Sequence, residues 1–203
     1  MRASIEALAQ LPAMSQICLM VGTFQLVCHP RTPTTAVEGV QVRVKRLPSN
    51  RLQLDFTLIG NRGAIKRALR SVNPQRTDGL WKDTCFEAFV MPDGGPGYFE
   101  FNFAFSHDWA AYEFSDRREG MRNLDIPPPQ FDFEGAQGDL SVEIDLGGVE
   151  PTALASEWRV GLSAVLADRL QTTSYWALSH PDRAPDFHDP ACFTATLPAP
   201  PRA

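Results

Sequence analysis

The sequence predicts an all-β domain: a two-sheet antiparallel β-sandwich, jelly-roll-like, of about ten strands. Three observations carry this reading. Short segments of alternating apolar and polar residues recur along the chain, clusters of Pro, Gly, Asn and Asp separate them, and helical periodicity is almost absent. At 203 residues the chain has the size of one such domain and can bury a core without disulfide staples. Its 43% hydrophobic content is that of an ordered globular protein.

Taken in order, residues 1–22 read as an N-terminal extension, either a short helix or disordered, with Ile5, Leu8 and Leu11 its only periodic apolar positions. Residues 23–197 read as the sandwich domain and 198–203 as a tail. Thr23 to His29 is the first expected strand. Val40, Val42 and Val44 then alternate with Gln41, Arg43 and Lys45, and after Pro48-Ser49-Asn50 the alternation resumes with Leu52, Leu54, Phe56 and Leu58. That pattern is a hairpin with a solvated outer face. Residues 61–78 form a basic, irregular connector leading to Trp81. Further strands are expected at 140–146, 158–166, 174–180 and 192–197, and Pro127-Pro128-Pro129 is excluded from any sheet interior.

The stretch from Asp78 to Phe114 is the most informative. Phe99, Phe101, Phe103 and Phe105 occupy every second position, so one face of a strand at 98–105 must enter a core. Burial of each ring is worth roughly 1.5–3 kcal/mol. A strand at 83–90 precedes it, and the loop Pro92-Asp93-Gly94-Gly95-Pro96-Gly97 joins the two. A register centred on that loop sets Phe86 near Phe103, Glu87 near Asn102, Ala88 near Phe101 and Phe89 near Glu100. Both faces agree, and a slip of one residue would destroy the agreement. The outer face then carries Glu87, Glu100, Asn102, Tyr98 and, if the strand is regular from 81, Trp81.

Charge and cysteine usage narrow the function. A net charge of −5 with no basic stripe argues against nucleic-acid binding. The clusters Arg43, Lys45, Arg46 and Arg67, Arg70 and Arg117, Arg118 read as solvated strand edges and loops. Cys18, Cys28, Cys85 and Cys192 show no paired spacing, so neither a zinc nor a dithiol site is expected. No run of eighteen apolar residues marks a membrane span. The N-terminus makes a poor secretory signal, from which a cytoplasmic location is expected.

The run LWKDTCFEAFV followed by YFEFNF, with SYWALSHP near the end, resembles the bacterial DOMON-like ligand-binding domains, which share a fold with carbohydrate-binding module family nine. The likeness covers roughly Thr23 to Leu197. It implies binding of a small-molecule ligand, a saccharide, without catalysis. In the sugar-binding family two tryptophans sandwich a terminal sugar ring, and a glutamate six residues after the first bonds its hydroxyls; Trp81 and Glu87 match that spacing. The late pattern is Gln-x-Asn-x-x-Trp, and Gln171, Thr173 and Trp176 occupy it, with Thr173 in place of Asn and lacking the amide's second donor. The expected binding set is thus Trp81, Glu87, Glu100, Asn102, Gln171, Thr173 and Trp176, with Trp81 and Trp176 as walls and Glu87 as the floor. Trp109 and Trp158 are assigned to the core.

Two alternatives accompany this reading. The cytochrome-type DOMON domains bind haem b through an axial Met and a late His or Lys; the candidates here are Met91 or Met121 with His107, His180 or His188. No pair has the required spacing, so no cofactor is expected, with haem b as the minority case. The loop bearing Asp182, Asp186, His188 and Asp189 reads as solvated rather than metal-binding. Third, Glu87 and Glu100 on neighbouring strands can be drawn as the two carboxylates of a glycoside hydrolase.

Overall fold

The computed structural model describes residues 20–132 and 136–200, and it is all-β. The elements are β1 (Met20–Cys28), β2 (Gly39–Leu47), β3 (Arg51–Ile59), β4 (Cys85–Pro92), β5 (Tyr98–Phe103), β6 (Trp109–Phe114), β7 (Arg122–Asn123) and β8 (Gln130–Phe131). There follow β9 (Leu140–Asp145), a short helix α1 (Glu150–Leu154), β10 (Glu157–Ala167), β11 (Thr173–Ala177) and β12 (Ala195–Pro198). The expected extension lies outside the described residues as far as residue 19, and residues 20–22 already belong to β1.

Alternation decides most of these strands. Val40, Val42 and Val44 of β2 are buried, as are Leu52, Leu54, Phe56 and Leu58 of β3. Ser49 and Asn50 take left-handed backbone to turn the chain between them. The β4–β5 hairpin adopts the expected register, Phe86 opposite Phe103, Glu87 opposite Asn102, Ala88 opposite Phe101 and Phe89 opposite Glu100. It ends earlier than the phenylalanine repeat does: the turn at Ala104–Asp108, with His107 at φ 72°, stops β5 at Phe103. Phe105 is only partly buried, packed against Phe86 at 5.0 Å. Alternation does not mark β6, because both its faces are apolar: Trp109 and Ala111 on one, Ala110, Tyr112 and Phe114 on the other.

The expected arrangement of two packed sheets is met only in part. The strands form one hydrogen-bonded path, β7-β6-β5-β4-β10-β11-β1-β2-β3-β9-β8, with β12 also on β10, curled into a half-barrel. The joint is β1. Residues 20–26 pair with β2, whereas Val27 and Cys28 pair with Ala177 and Trp176 of β11. Both arms of the path turn their apolar faces to one core, so that the rings of Phe56 on β3 and Phe86 on β4 meet at 5.0 Å. Trp109 and Trp158 lie in that core, as expected.

Arg46 departs from the expected solvated edge. It is buried, its guanidinium lies 3.8 Å from the Trp158 ring centroid, and it donates to the carbonyls of Thr152, Ala155 and Leu197. Alternation breaks at that end of β2, where Arg46 and Leu47 are buried in succession, and the cation ties β2 to α1 and β12. Burial lowers its pKa to about 10, which leaves it charged at neutral pH.

Phe101 has no solvent exposure at the centre of this core. Phe101→Ala is expected to cost about 3–5 kcal/mol in urea denaturation through the cavity it leaves. A loss below about 1 kcal/mol would place the ring outside the core.

Candidate functional site

The outer face of β4, β5, β6, β10 and β11 is covered rather than wet. A second apolar cluster contains Cys85, Phe89, Tyr98, Phe114, Val165, Phe187, Cys192 and Phe193. The last three belong to residues 181–193, a segment read as a solvated loop around Asp182–Asp189 and as the start of a strand from Cys192. Phe193 stacks on Phe89 at 5.5 Å, and this contact requires a glycine beneath it: a Cβ at Gly161 would come within 2.5 Å of the Phe193 ring. Ion pairs hold the same segment to the loop after β6. Asp186 accepts from Arg117 and from Arg118 (2.9 Å), and Asp189 pairs with Arg117 (3.1 Å) and Arg183. Two of the loop's candidate metal ligands are therefore engaged by guanidinium groups.

Between segment and sheet lies a cavity of about 360 Å³. Trp81, Phe114, Tyr175 and Phe187 supply aromatic walls, Glu87 and Glu100 its acidic floor, and Arg118, Met121, Asp186 and His188 further lining. Sequence parity places Trp81 on the outer face only through a regular strand from 81. A 3-10 turn, Leu80–Lys82, interrupts it, yet Trp81 still reaches the cavity, edge-on to Tyr112 at 6.1 Å and 39% exposed.

Trp176 does not line this cavity. It points into the main core, where its indole N–H donates to Ser174 Oγ at 3.0 Å. Its neighbour Tyr175 faces the cavity instead, so the expected tryptophan clamp is replaced by Trp81 and Tyr175. Successive side chains on a strand point to opposite faces, and a five-residue strand bearing Tyr and Trp side by side does not reveal which is inward. Gln171 is exposed in the turn before β11, and Thr173 is half-buried at its start; neither lines the cavity.

The floor is a linked polar group. Asn102, fully buried, donates through Nδ2 to Glu100 Oε1 at 2.7 Å and accepts a weak bond from the Cys85 thiol. Ser163 on β10 donates to Glu87 Oε2 at 3.1 Å. Burial, then repulsion from Glu100, raises the Glu87 pKa to about 8; burial also raises that of Glu100. Across the cavity, His188 Nδ1 bonds the Tyr98 hydroxyl at 2.7 Å, and that hydroxyl accepts from the Arg118 backbone N–H at 3.1 Å. Arg118 supplies this N–H from left-handed backbone, φ 56°. Burial lowers the His188 pKa to about 4, so the ring is neutral near pH 7. The other ring nitrogen, Nε2, faces Glu100 Oε2 at 3.6 Å.

The three candidate histidine ligands for haem lie in three different places. Met121 and His188 line one cavity, but Tyr98 occupies Nδ1 of the ring and Nε2 is turned to Glu100. His107 lies elsewhere, stacked on Phe131 at 4.3 Å, and His180 Nε2 bonds the Val27 carbonyl at 2.8 Å.

No family model matches the chain, and no curated protein matches it. A solved structure does: a candidate carbohydrate-binding protein from Bacteroides uniformis. It is 17% identical, with 88% of this chain and 86% of that one covered at a TM-score of 0.56. At that identity the likeness is one of fold.

Two outcomes follow from this geometry. Gly161→Ala is expected to destabilise the chain by about 1–3 kcal/mol through overpacking, with protease nicking concentrated within residues 181–193; nicking spread evenly would detach that segment from Gly161. The pH dependence has a definite sign. Glu87, raised in the folded state from 4.5 to about 8, contributes stability that is lost as pH rises through 8. His188, lowered from 6.5 to about 4, contributes in the opposite direction, its stability present above 6.5 and lost as pH falls through 4. The two effects oppose each other up to pH 6.5, above which the raised pair of Glu87 and Glu100 acts without that opposition. The melting temperature should therefore fall between about pH 6.5 and 8.5, and Glu87→Gln should flatten that limb; an unchanged limb in the variant would assign it to another group.

Proposed function

We propose that the chain is a non-catalytic carbohydrate-binding domain related to the DOMON-like domains and to carbohydrate-binding module family nine, its curled sheet serving as the two layers of their sandwich. The observation that carries the reading is Trp81. A tryptophan 39% exposed, lining the same cavity as two buried carboxyls, is the pairing a sugar requires. Sugars present apolar C–H faces and polar edges, which suit an indole wall beside hydroxyl-binding carboxyls. The fold likeness to a candidate carbohydrate-binding protein supports the same direction. Glu87 and Glu100 bind hydroxyls, Tyr175 joins Trp81 in the wall, and Asn102 acts from behind by orienting Glu100. The reading requires no haem.

One observation favours a second reading. A carboxyl still protonated near neutrality beside a second carboxyl is the arrangement from which glycoside hydrolases draw a general acid. Turnover of nitrophenyl glycosides that is abolished in Glu87→Gln would establish hydrolysis and displace the binding-only reading.

A thermal-shift screen over mono- and disaccharides tests the proposal. At least one saccharide should raise the melting temperature in a dose-dependent manner, and Trp81→Ala should abolish the response with the far-ultraviolet dichroism unchanged. A response that survives in Trp81→Ala, or a Soret band after haem addition, would overturn it.

A further inference from the structure

We infer that the cavity selects a sugar bearing a protonated amine over a neutral one, an inference that rests on the carbohydrate reading. The floor has two carboxyl groups, and among the described residues no lysine or arginine forms an ion pair with either, Arg118 acting on both only from a distance. Glu87 Oε1 has no hydrogen-bond partner among the described residues, although the side chain is 3% exposed, and Oε2 has only the Ser163 hydroxyl. Glu100 is bonded by a neutral amide and faced by His188. The guanidinium that reaches the cavity, Arg118, is engaged by Asp186 at 2.9 Å. Above this floor stand the aromatic side chains of Trp81, Phe114, Tyr175 and Phe187, and an ammonium group is attracted to an aromatic ring most strongly where water is excluded. Aromatic walls over two carboxyls that no cation contacts directly favour a positive guest more than a hydroxyl.

The proton inventory agrees. At neutral pH the raised carboxyl pair retains a proton that an arriving ammonium would displace. The other titratable groups facing Glu87 do not take part in that exchange. The Cys85 thiol on its own strand is raised well above the ordinary thiol range, His188 of the covering segment stays neutral, and Arg118 and Asp186 are paired with one another. Binding of an amino sugar thus expels a proton from Glu87 and Glu100, whereas binding of a neutral sugar does not.

Calorimetric titration of the full chain with D-glucosamine, N-acetyl-D-glucosamine, D-glucose and choline, in two buffers of different protonation enthalpy, tests this. At about pH 6.5, where the sugar amine is charged, glucosamine should bind roughly tenfold more tightly than either neutral sugar and release a fraction of a proton. Glu87→Gln should remove both the preference and the proton release; Glu100→Gln serves where the first variant fails to fold, and proton release needs no variant. Equal affinity for glucose and glucosamine, or no proton release, overturns the inference and leaves the carbohydrate reading standing. Binding of choline without any sugar supports the cation site and removes the carbohydrate reading. Binding of none of the four removes both.

Discussion

The β4–β5 hairpin is buried on both faces, and that constraint reaches every other part of the molecule. Its inner face carries Phe86, Ala88, Phe99, Phe101 and Phe103 into the main core, while its outer face carries Cys85, Glu87, Phe89, Tyr98, Glu100 and Asn102 under a second cover. The inner face fixes the register, because a slip of one residue would expel the phenylalanines. The outer face then has no freedom: Glu87 lies across from Asn102, and Asn102 bonds Glu100. Leaving a carboxylate in such a place costs several kcal/mol unless it is paired or protonated. The raised pKa of both glutamates is the consequence. The core thus imposes the chemistry of the cavity floor.

The cover itself is built from residues with little secondary structure. Phe187, Cys192 and Phe193 anchor it by burial, and Asp186 and Asp189 tie it to arginines of the loop after β6. Tyr98 joins the two loops at the level of the sheet, since its hydroxyl contacts both Arg118 and His188. Loop, cover and floor therefore form one connected assembly around the cavity, and a change in any of the three alters the other two.

The strands and the central register were legible because apolar and polar side chains alternate with a period of two, even on β4 and β5, whose polar-bearing face is itself covered. Where both faces are apolar the period vanishes, which hides β6, whereas Arg46 shares the inward parity of Val40, Val42 and Val44 and looks solvated only because it is charged. The site was legible on β4 and β5 and not on β11, where Tyr175 and Trp176 are both large and aromatic and the choice between them is made by the core. The cover left a faint signal, three apolar residues in a loop of Pro and Asp, outweighed by the charges around them. Arg118 and His188 could not be placed by pattern at all, since both sit in turns positioned by tertiary contacts.

The strand that joins the two arms of the sheet has a consequence for how the molecule comes into being. β1 pairs with β2 along most of its length, and its last residues wait for Ala177 and Trp176 of β11. During synthesis β1, β2 and β3 emerge early and can pair locally, yet the joint cannot close until nearly the whole chain has left the ribosome. Pairings between residues so far apart carry the largest loop-closure entropy and slow the folding of β-rich proteins. Until then the end of β1 is an open strand edge beside an exposed apolar face, a surface that invites pairing with another chain. The cavity, which needs β11 for Tyr175, is therefore among the last features of this fold to form.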